Sequence, residues 1–115
     1  MTRNLERRHL FPGALELMIM HSLRLKPMHG YALAKHIKNF SNNHMEIEEG
    51  SLYPALQRLL KAGFLESEAG ISMKGRPTRI YRLTASGIRR LEHEVSSFQE
   101  MLAGILRVLS TVAEA

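Results

Sequence analysis

The segment from Glu48 to Leu65 carries apolar and polar residues in the rhythm of an amphipathic helix. Leucines at positions 52, 56, 59 and 60 fall on one stripe, because residues three, four and seven positions apart share a helix face. Ser51 is the expected N-cap, which puts Pro54 in the first turn, and Gly63 suits the left-handed position that ends a helix. The opposite face is polar and consists of Ser51, Tyr53, Pro54, Gln57, Arg58 and Lys61. Such amide, hydroxyl and cationic groups bind base edges and phosphates in a DNA major groove, although an ordinary surface helix has a similar face.

Two further helices are predicted ahead of this segment. The first lies between Gly13 and Pro27 and is apolar on nearly every side, which predicts burial against its own domain and against a second surface. After a turn at Met28–Gly30, the second runs from about Tyr31 to Phe40, and Met45–Ile47 could form one short strand. Its inward positions are Leu33, Ala34, Ile37 and Phe40, and its outward positions are Lys35, His36 and Lys38. This order of helix, turn, helix, loop and presented helix is that of a helix-turn-helix domain.

Two strands are predicted next, at Phe64–Glu68 and Thr78–Thr84, because apolar and polar residues alternate there. The loop between them contains two glycines and a proline and is tipped with Lys74 and Arg76. A basic hairpin beside a presented helix indicates a wing that holds DNA phosphates or enters the minor groove, with Arg79 as a third cation. The alternative is an ordinary solvated hairpin loop, which is also usually polar.

A long C-terminal helix, capped by Thr84, has the most regular pattern in the chain. Its apolar residues are spaced alternately by three and four positions, which is the a/d seam of a heptad repeat: Ile88, Leu91, Val95, Phe98, Leu102, Ile105, Leu109 and Val112. A helix of about 28 residues is about 42 Å long and extends beyond a small domain. We therefore expect the seam to pack against a second copy of the chain, the alternative being that it folds back on the first helix.

Composition and charge limit the possible functions. The 115 residues are enough for one domain with a modest core, and the absence of cysteine excludes a disulfide framework and fits a reducing cytoplasm. The net charge of +5 is concentrated in residues 1–83, where lysine and arginine exceed glutamate by six, whereas residues 84–115 carry a net charge of −1. A basic first part favours an anionic partner such as nucleic acid. No signal peptide and no membrane span is expected.

Catalytic and metal chemistry find little support in the sequence. Without Asp or Cys the common nucleophilic triads are missing, and the six histidines show no spacing of three or four that would pair them on a helix. We expect no enzyme activity, no metal and no cofactor. Seven methionines could line an adaptable small-molecule pocket, but such residues more often fill a core.

Three segments together resemble the PadR family of transcriptional regulators: GYALAKHI at 30–37, EEGSLYPALQRLLKAGFL at 48–65 and GRPTRIYRLTASGIRRL at 75–91. The resemblance implies a winged helix-turn-helix DNA-binding domain, a dimerising C-terminal helix and a role as a repressor. DNA contacts would then come from the polar face of the presented helix, from the wing, and from Tyr31 and Lys35 on the second helix. The dimer contacts would come from Val95, Phe98, Leu102, Ile105 and Leu109.

The sequence as a whole predicts an α+β fold, mostly α. Residues 1–9 would be a flexible basic N-terminus, residues 10–84 the winged helix-turn-helix domain, and residues 85–115 the dimerisation helix. The expected function is that of a cytoplasmic homodimer, associated with the nucleoid, that occludes a pseudo-palindromic operator in double-stranded DNA. A small-molecule effector is a further candidate partner. The alternatives are a winged-helix module that binds another protein, and a small-molecule-binding protein with its site between protomers.

Overall fold

A computed structural model describes residues 13–112. The elements follow one another as α1 (Ala14–Leu25), β1 (Met28–His29), α2 (Gly30–Phe40), α3 (Glu49–Lys61), β2 (Leu65–Ile71), β3 (Pro77–Leu83) and α4 (Ala85–Leu109). The four helices and the small antiparallel sheet within this range confirm the α+β, mostly helical class. The expectation of a flexible segment at residues 1–9 lies outside the described residues. Within residues 13–112, no helix is both long enough and apolar enough to cross a membrane.

The core lies where the first three helices meet the sheet and the start of α4. Helix α1 contributes Ile19, Met20 and Leu23 to the core, whereas Leu15 and Met18 are only half-buried. The remaining buried apolar residues are Met28, Leu33, Ile37, Leu52, Ala55, Leu56, Leu59, Leu65, Tyr81 and Leu91. Phe40 was expected to point inward but is 81% exposed, because α2 extends past the core by the length of its last turn.

The sheet has the strand order β1-β3-β2, and both pairings are antiparallel. Met28 pairs with Tyr81 and His29 with Ile80, so the expected turn at Met28–Gly30 is a two-residue strand followed at once by α2. The strand expected at Met45–Ile47 is wrong, because that stretch is irregular. Strands β2 and β3 pair along their whole length, which makes the hairpin longer and its loop shorter than the sequence predicted.

Helix α4 begins as predicted and is anchored by its first two turns. The Thr84 hydroxyl accepts a hydrogen bond from the Gly87 amide at 3.0 Å, which confirms the N-cap. A Cβ on Gly87 would lie 2.2 Å from the Phe64 carbonyl oxygen, so only glycine permits this approach to the end of α3. Leu91 is buried in the core, and Glu92 pairs with Arg24 of α1 at 3.3 Å. The first part of α4 therefore packs on α1 of its own chain.

The far end of α4 departs from the predicted seam. The helix ends at Leu109, so Val112 lies beyond it and is 87% exposed. The hydroxyl of Ser110 donates to the Arg107 carbonyl at 2.8 Å, and that of Thr111 donates to the Val108 carbonyl at 2.7 Å. The same two carbonyls also accept from the backbone amides of Ser110 and Thr111, at 3.3 and 3.2 Å, so the hydroxyls reinforce the end of the helix.

Candidate nucleic-acid interface

Helix α3 divides into a buried face and an exposed face. Leu52, Ala55, Leu56 and Leu59 are buried, and Leu60 is half-buried at the border. The residues predicted to read DNA are all exposed: Ser51, Tyr53, Pro54, Gln57, Arg58 and Lys61. At 100° per residue these six positions cover an arc of about 160° opposite the core. We call this arc the reading face.

The start of α3 differs from the prediction. Glu48 occupies the N-cap position and the helix begins at Glu49, so the interpretation of Ser51 as the N-cap is wrong. The Ser51 amide instead donates to the Glu48 carbonyl at 2.9 Å, within the helix. Pro54 is consequently the sixth helical residue and cannot donate to the Gly50 carbonyl, which lies on the exposed side. The helix therefore presents about one turn more at its N-terminal end than the sequence predicted.

The end of α3 follows the prediction closely. Gly63 has φ of +81°, its amide donates to the Leu60 carbonyl, and the Phe64 amide donates to the Leu59 carbonyl, each at 3.0 Å. This is the Schellman arrangement, in which a left-handed glycine satisfies the last carbonyls. The chain then turns directly into β2, so the hairpin packs beside α3.

Tyr53 connects the reading face to the start of α2. Its hydroxyl oxygen lies 2.7 Å from where a Cβ of Gly30 would be, so glycine at this position gives the ring its space. The neighbouring Tyr81 is buried, and this burial raises the pKa of its phenol, with Tyr53 adding to the rise and Arg79 opposing it. Tyr53 itself remains 41% exposed, so one edge packs on α2 while the other faces outward.

Arg58 is held by a partner that the sequence did not reveal. Its Nε lies 3.0 Å and a terminal nitrogen 2.9 Å from the same carboxylate oxygen of Glu16 on α1. The pair joins residues 42 positions apart, and no local pattern predicts it. Lys61 and Gln57 form no ion pair or hydrogen bond with other side chains in the described part of the chain. Among these three residues, Arg58 therefore has the least freedom to reach DNA.

Exposed aromatic and cationic groups continue the surface onto α2. Tyr31 is 71% exposed, and the ammonium of Lys35 lies over its ring at 5.5 Å from the centroid. One turn later, the rings of His36 and Phe40 lie 4.4 Å apart, so Phe40 packs on a histidine at the surface and not in the core. The two predicted contact residues of α2, Tyr31 and Lys35, are thus both accessible.

The hairpin formed by β2 and β3 presents Lys74 and Arg76 at its tip, as the sequence predicted, and both are exposed. Arg79 lies farther back on β3, where its guanidinium donates to the Ser67 hydroxyl at 3.1 Å and to the Ser67 carbonyl at 3.3 Å. These bonds tie Arg79 to β2 across the hairpin. Its role as a third phosphate contact stays a prediction.

The predicted dimer face of α4 is progressively uncovered toward its C-terminal end. Val95, Phe98 and Ile105 are half-buried, whereas Leu102 is 36% and Leu109 73% exposed. Three further apolar residues widen the exposed area: Met101, Leu106 and Val108. The start of α4 packs on α1 of its own chain, as the first of the two sequence-based alternatives expected. The end of α4 is exposed in the protomer and remains available for the second alternative, packing against another copy of the chain.

An open groove runs between α1 and α4. Its volume is about 320 Å³, and its lining residues are His21, Arg24, Leu91, Glu92, Val95, Ser96 and Gln99. The groove carries one ion pair and a floor of two apolar side chains. Among the described residues, no cluster of three or more His, Cys, Asp or Glu side chains could hold a metal ion.

The arrangement of helices, presented helix and hairpin defines a winged helix-turn-helix protein. The family model of the transcriptional regulator PadR-like family matches residues 19–93. The chain therefore belongs to the PadR-like family of transcriptional regulators, which confirms the resemblance of its three segments.

Individual relatives agree with this assignment. Transcriptional regulator Rv3488 of Mycobacterium tuberculosis is 31% identical over 94 residues, which are 82% of this chain and 84% of that protein. The crystal structure of a PadR family transcriptional regulator from Eggerthella lenta has a TM-score of 0.76 and 31% identity, covering 88% of this chain and 86% of its own. Bacillus subtilis PadR in complex with operator DNA has a TM-score of 0.64 and 24% identity, covering 71% of this chain and 46% of its own. At that identity, the last comparison supports the fold alone.

Proposed function

We propose that this protein is a homodimeric, sequence-specific DNA-binding regulator that represses transcription by occupying operator DNA. The division of α3 carries the proposal, because its apolar side completes the core while its six polar residues are all exposed. Membership in a family of transcriptional regulators supports DNA binding as the role of this exposed face. The structure of a more distant relative, Bacillus subtilis PadR, was solved in complex with operator DNA.

On the reading face, Gln57 is the proposed base-reading residue, since its amide can donate to and accept from an adenine edge in the major groove. Pro54 would contact a thymine methyl group, and Tyr53 would contact a phosphate at the border with α2, where its hydroxyl lies beside Gly30. Lys61 would contact a phosphate, since its ammonium forms no ion pair within residues 13–112. Arg58 would reach DNA only by sharing its guanidinium with Glu16, so we assign it a smaller contribution.

The outer contacts of the proposed complex are electrostatic. Tyr31 and Lys35 of α2 would bind the backbone on one side of the reading face, and Lys74 and Arg76 of the wing would bind it on the other. Arg79 would add a weaker contact, because its donors already serve Ser67. Ser51 would approach the backbone from the first turn of α3.

The partner of the exposed half of α4 would be a second copy of the chain. Residues 10–84 form the proposed DNA-binding unit and residues 85–115 the proposed dimerisation helix, although the first turns of α4 also belong to the core. A two-fold dimer places two reading faces about one DNA turn, roughly 34 Å, apart, which requires a pseudo-palindromic site. Such a protein would act in the cytoplasm at the nucleoid and needs no catalytic activity.

A second, compatible function is suggested by the groove between α1 and α4. A volume of about 320 Å³ with an apolar floor and polar walls is in the range of small-molecule sites. Since α1 also holds Arg58 through Glu16, a ligand that moved α1 would change the reading face. We therefore keep an effector as a candidate.

The experiment that tests the proposal measures fluorescence anisotropy of a labelled genomic-fragment duplex at several salt concentrations. For a DNA-binding regulator, the logarithm of the binding constant falls linearly with the logarithm of the salt concentration. Unlabelled specific DNA also displaces the labelled duplex better than a scrambled duplex of equal length does. A protein-interaction module would show neither behaviour. A small-molecule-binding protein without DNA binding would instead show only ligand-dependent thermal stabilisation.

A further inference from the structure

The tip of the wing is a tightly defined turn. The Gly75 amide donates to the Ser72 carbonyl at 2.9 Å, and the Ser72 amide donates to the Arg76 carbonyl at 2.8 Å. Gly75 has φ of +78°, so the three-residue loop Met73–Gly75 ends on a left-handed glycine. The Ser72 hydroxyl also accepts from the Arg76 amide at 3.1 Å. The two residues at the head of the turn, Met73 and Lys74, are thus held in fixed positions.

The turn carries a fully exposed apolar side chain. Met73 is 100% exposed, and Ile71, two residues earlier on β2, is 74% exposed. A single exposed apolar residue is common on protein surfaces and needs no function of its own. Here, however, the apolar residue lies at the head of the turn in a hairpin that the proposed function brings to DNA.

The charges of the hairpin are separated along its length. Its two carboxylates, Glu66 and Glu68, lie near the base, where both approach the guanidinium of Arg82. Lys74 and Arg76 at the tip form no ion pair with any carboxylate between residues 13 and 112. The end of the hairpin that would meet a partner first is therefore an apolar side chain beside two cations that have no carboxylate partner within the described range.

We propose that Met73 is an apolar wedge. It would enter the minor groove of the DNA beside the bases that the reading face contacts, and would partly unstack one base step. Lys74 and Arg76 would hold the phosphates on either side. This inference rests on the proposed function. DNA fits the tip better than a protein does, because a stable protein interface needs roughly 800 Å² per partner, whereas one inserted side chain is enough to open a base step.

The wedge would add sequence preference at a position without hydrogen bonds to bases. Pyrimidine–purine steps unstack most easily, so the DNA flanking the site should favour TA or CA/TG there. Selection of such a step would come from the energy of deforming DNA, and not from a pattern of donors and acceptors. Removing the wedge should therefore remove this preference without changing the bases read by α3.

The test uses a duplex that the wild-type protein selects from a random-sequence pool, with 2-aminopurine placed in turn at each flanking position. The fluorescence of this base rises when it is unstacked. Wild-type protein is compared with Met73→Ala, with Met73→Leu, which keeps a large apolar side chain, and with Lys74→Ala, which removes one charge and leaves Met73 in place. Thermal denaturation of each variant checks that the fold is intact.

We expect the wild-type protein to raise the fluorescence at one flanking step and Met73→Ala to abolish the rise. Met73→Ala should also bind about tenfold more weakly with an unchanged salt slope, because it loses apolar contact and no charge. Met73→Leu should restore the rise relative to Met73→Ala, while Lys74→Ala should reduce the salt slope by about 0.9. The wedge is wrong if the wild-type protein binds the duplex without raising the fluorescence at any position. It is also wrong if Met73→Ala binds the duplex and unstacks the base step as the wild type does. In both cases the proposal of DNA binding is unaffected. If the wild-type protein selects no duplex, the proposed function fails as well.

Discussion

Replacing Leu102 by glutamate should separate the proposed dimer while leaving the winged domain folded. Leu102 lies in the middle of the seam of α4, beyond the turns that pack on α1, and is 36% exposed in the protomer. Leucine and glutamate have similar helix propensities, so the helix itself should persist. The substitution should therefore mainly affect the proposed contact between this part of α4 and the second copy of the chain.

The expected loss of dimerisation free energy follows from the exposed fraction of the Leu102 side chain. Full burial of a leucine side chain contributes about 2 kcal/mol, so the exposed third of Leu102 is worth roughly 0.7 kcal/mol per copy and about 1.5 kcal/mol per dimer. Two glutamates would in addition be removed from water without partners, at a cost of several kcal/mol. Together these effects should weaken dimerisation by at least about a hundredfold, which corresponds to roughly 2.7 kcal/mol.

Sedimentation velocity over a range of protein concentrations measures this change. The matched control is Ser97→Glu, which adds the same charge to an exposed position of α4 outside the seam. We expect the wild type and Ser97→Glu to sediment as dimers and Leu102→Glu as a monomer with the circular dichroism of a folded helical protein. A monomeric wild type, or a Leu102→Glu variant that dimerises as tightly as Ser97→Glu, would show that the seam of α4 does not form the dimer.

Three further substitutions test other parts of the account. Gln57→Ala should cost about 1–3 kcal/mol on a selected site and relax one base position; an unchanged ratio of binding to selected and scrambled duplexes would remove Gln57 from the readout. Removing the charges of both Lys74 and Arg76 should lower the salt slope by about 0.9 for each, and a wild-type slope would show that the wing stays off the DNA. Gly87→Ala should destabilise the fold by about 1–3 kcal/mol, because its Cβ would lie 2.2 Å from the Phe64 carbonyl oxygen; in thermal denaturation, the stabilisation usual for alanine in a helix would contradict that contact.

Periodicity predicted the elements of this fold well because it reports on local geometry. The leucines of α3, the glycine that ends it and the threonine that caps α4 all act within a few residues, and the structure confirms each. Ser51 failed as an N-cap because the preference for such a residue is only about 1 kcal/mol, and a start at Glu49 also places a carboxylate in the first turn.

The features that the sequence did not predict depend on distant parts of the chain. Strand β1 has two residues and exists only because Met28 and His29 pair with β3, about fifty positions later. The bond between Arg58 and Glu16 likewise spans 42 positions and has no local signature. Phe40 shares the helix face of Leu33 and Ile37, but periodicity does not show where the core beneath a helix ends.

The sequence predicted which residues of the candidate site are exposed. It did not predict which of their side chains are held by hydrogen bonds or ion pairs from other elements. Exposure of the reading face follows from the period of α3, since the residues opposite a buried stripe face outward. Whether each side chain is available depends on neighbours from other elements: Arg58 is held by α1, and Arg79 by β2. These contacts rank Gln57 and Lys61 above Arg58 as DNA contacts, a ranking that the sequence alone did not give.

The central claim, that two reading faces of a symmetric dimer recognise one operator, is tested most directly by sequencing the DNA that the purified protein selects from a random pool. The account predicts an inverted repeat whose half-sites are centred about 10 base pairs, or one helical turn, apart. It also predicts that Leu102→Glu enriches no two-half-site sequence under the same conditions. Selected DNA without a shared motif, or a single asymmetric motif that Leu102→Glu enriches equally well, would contradict the claim.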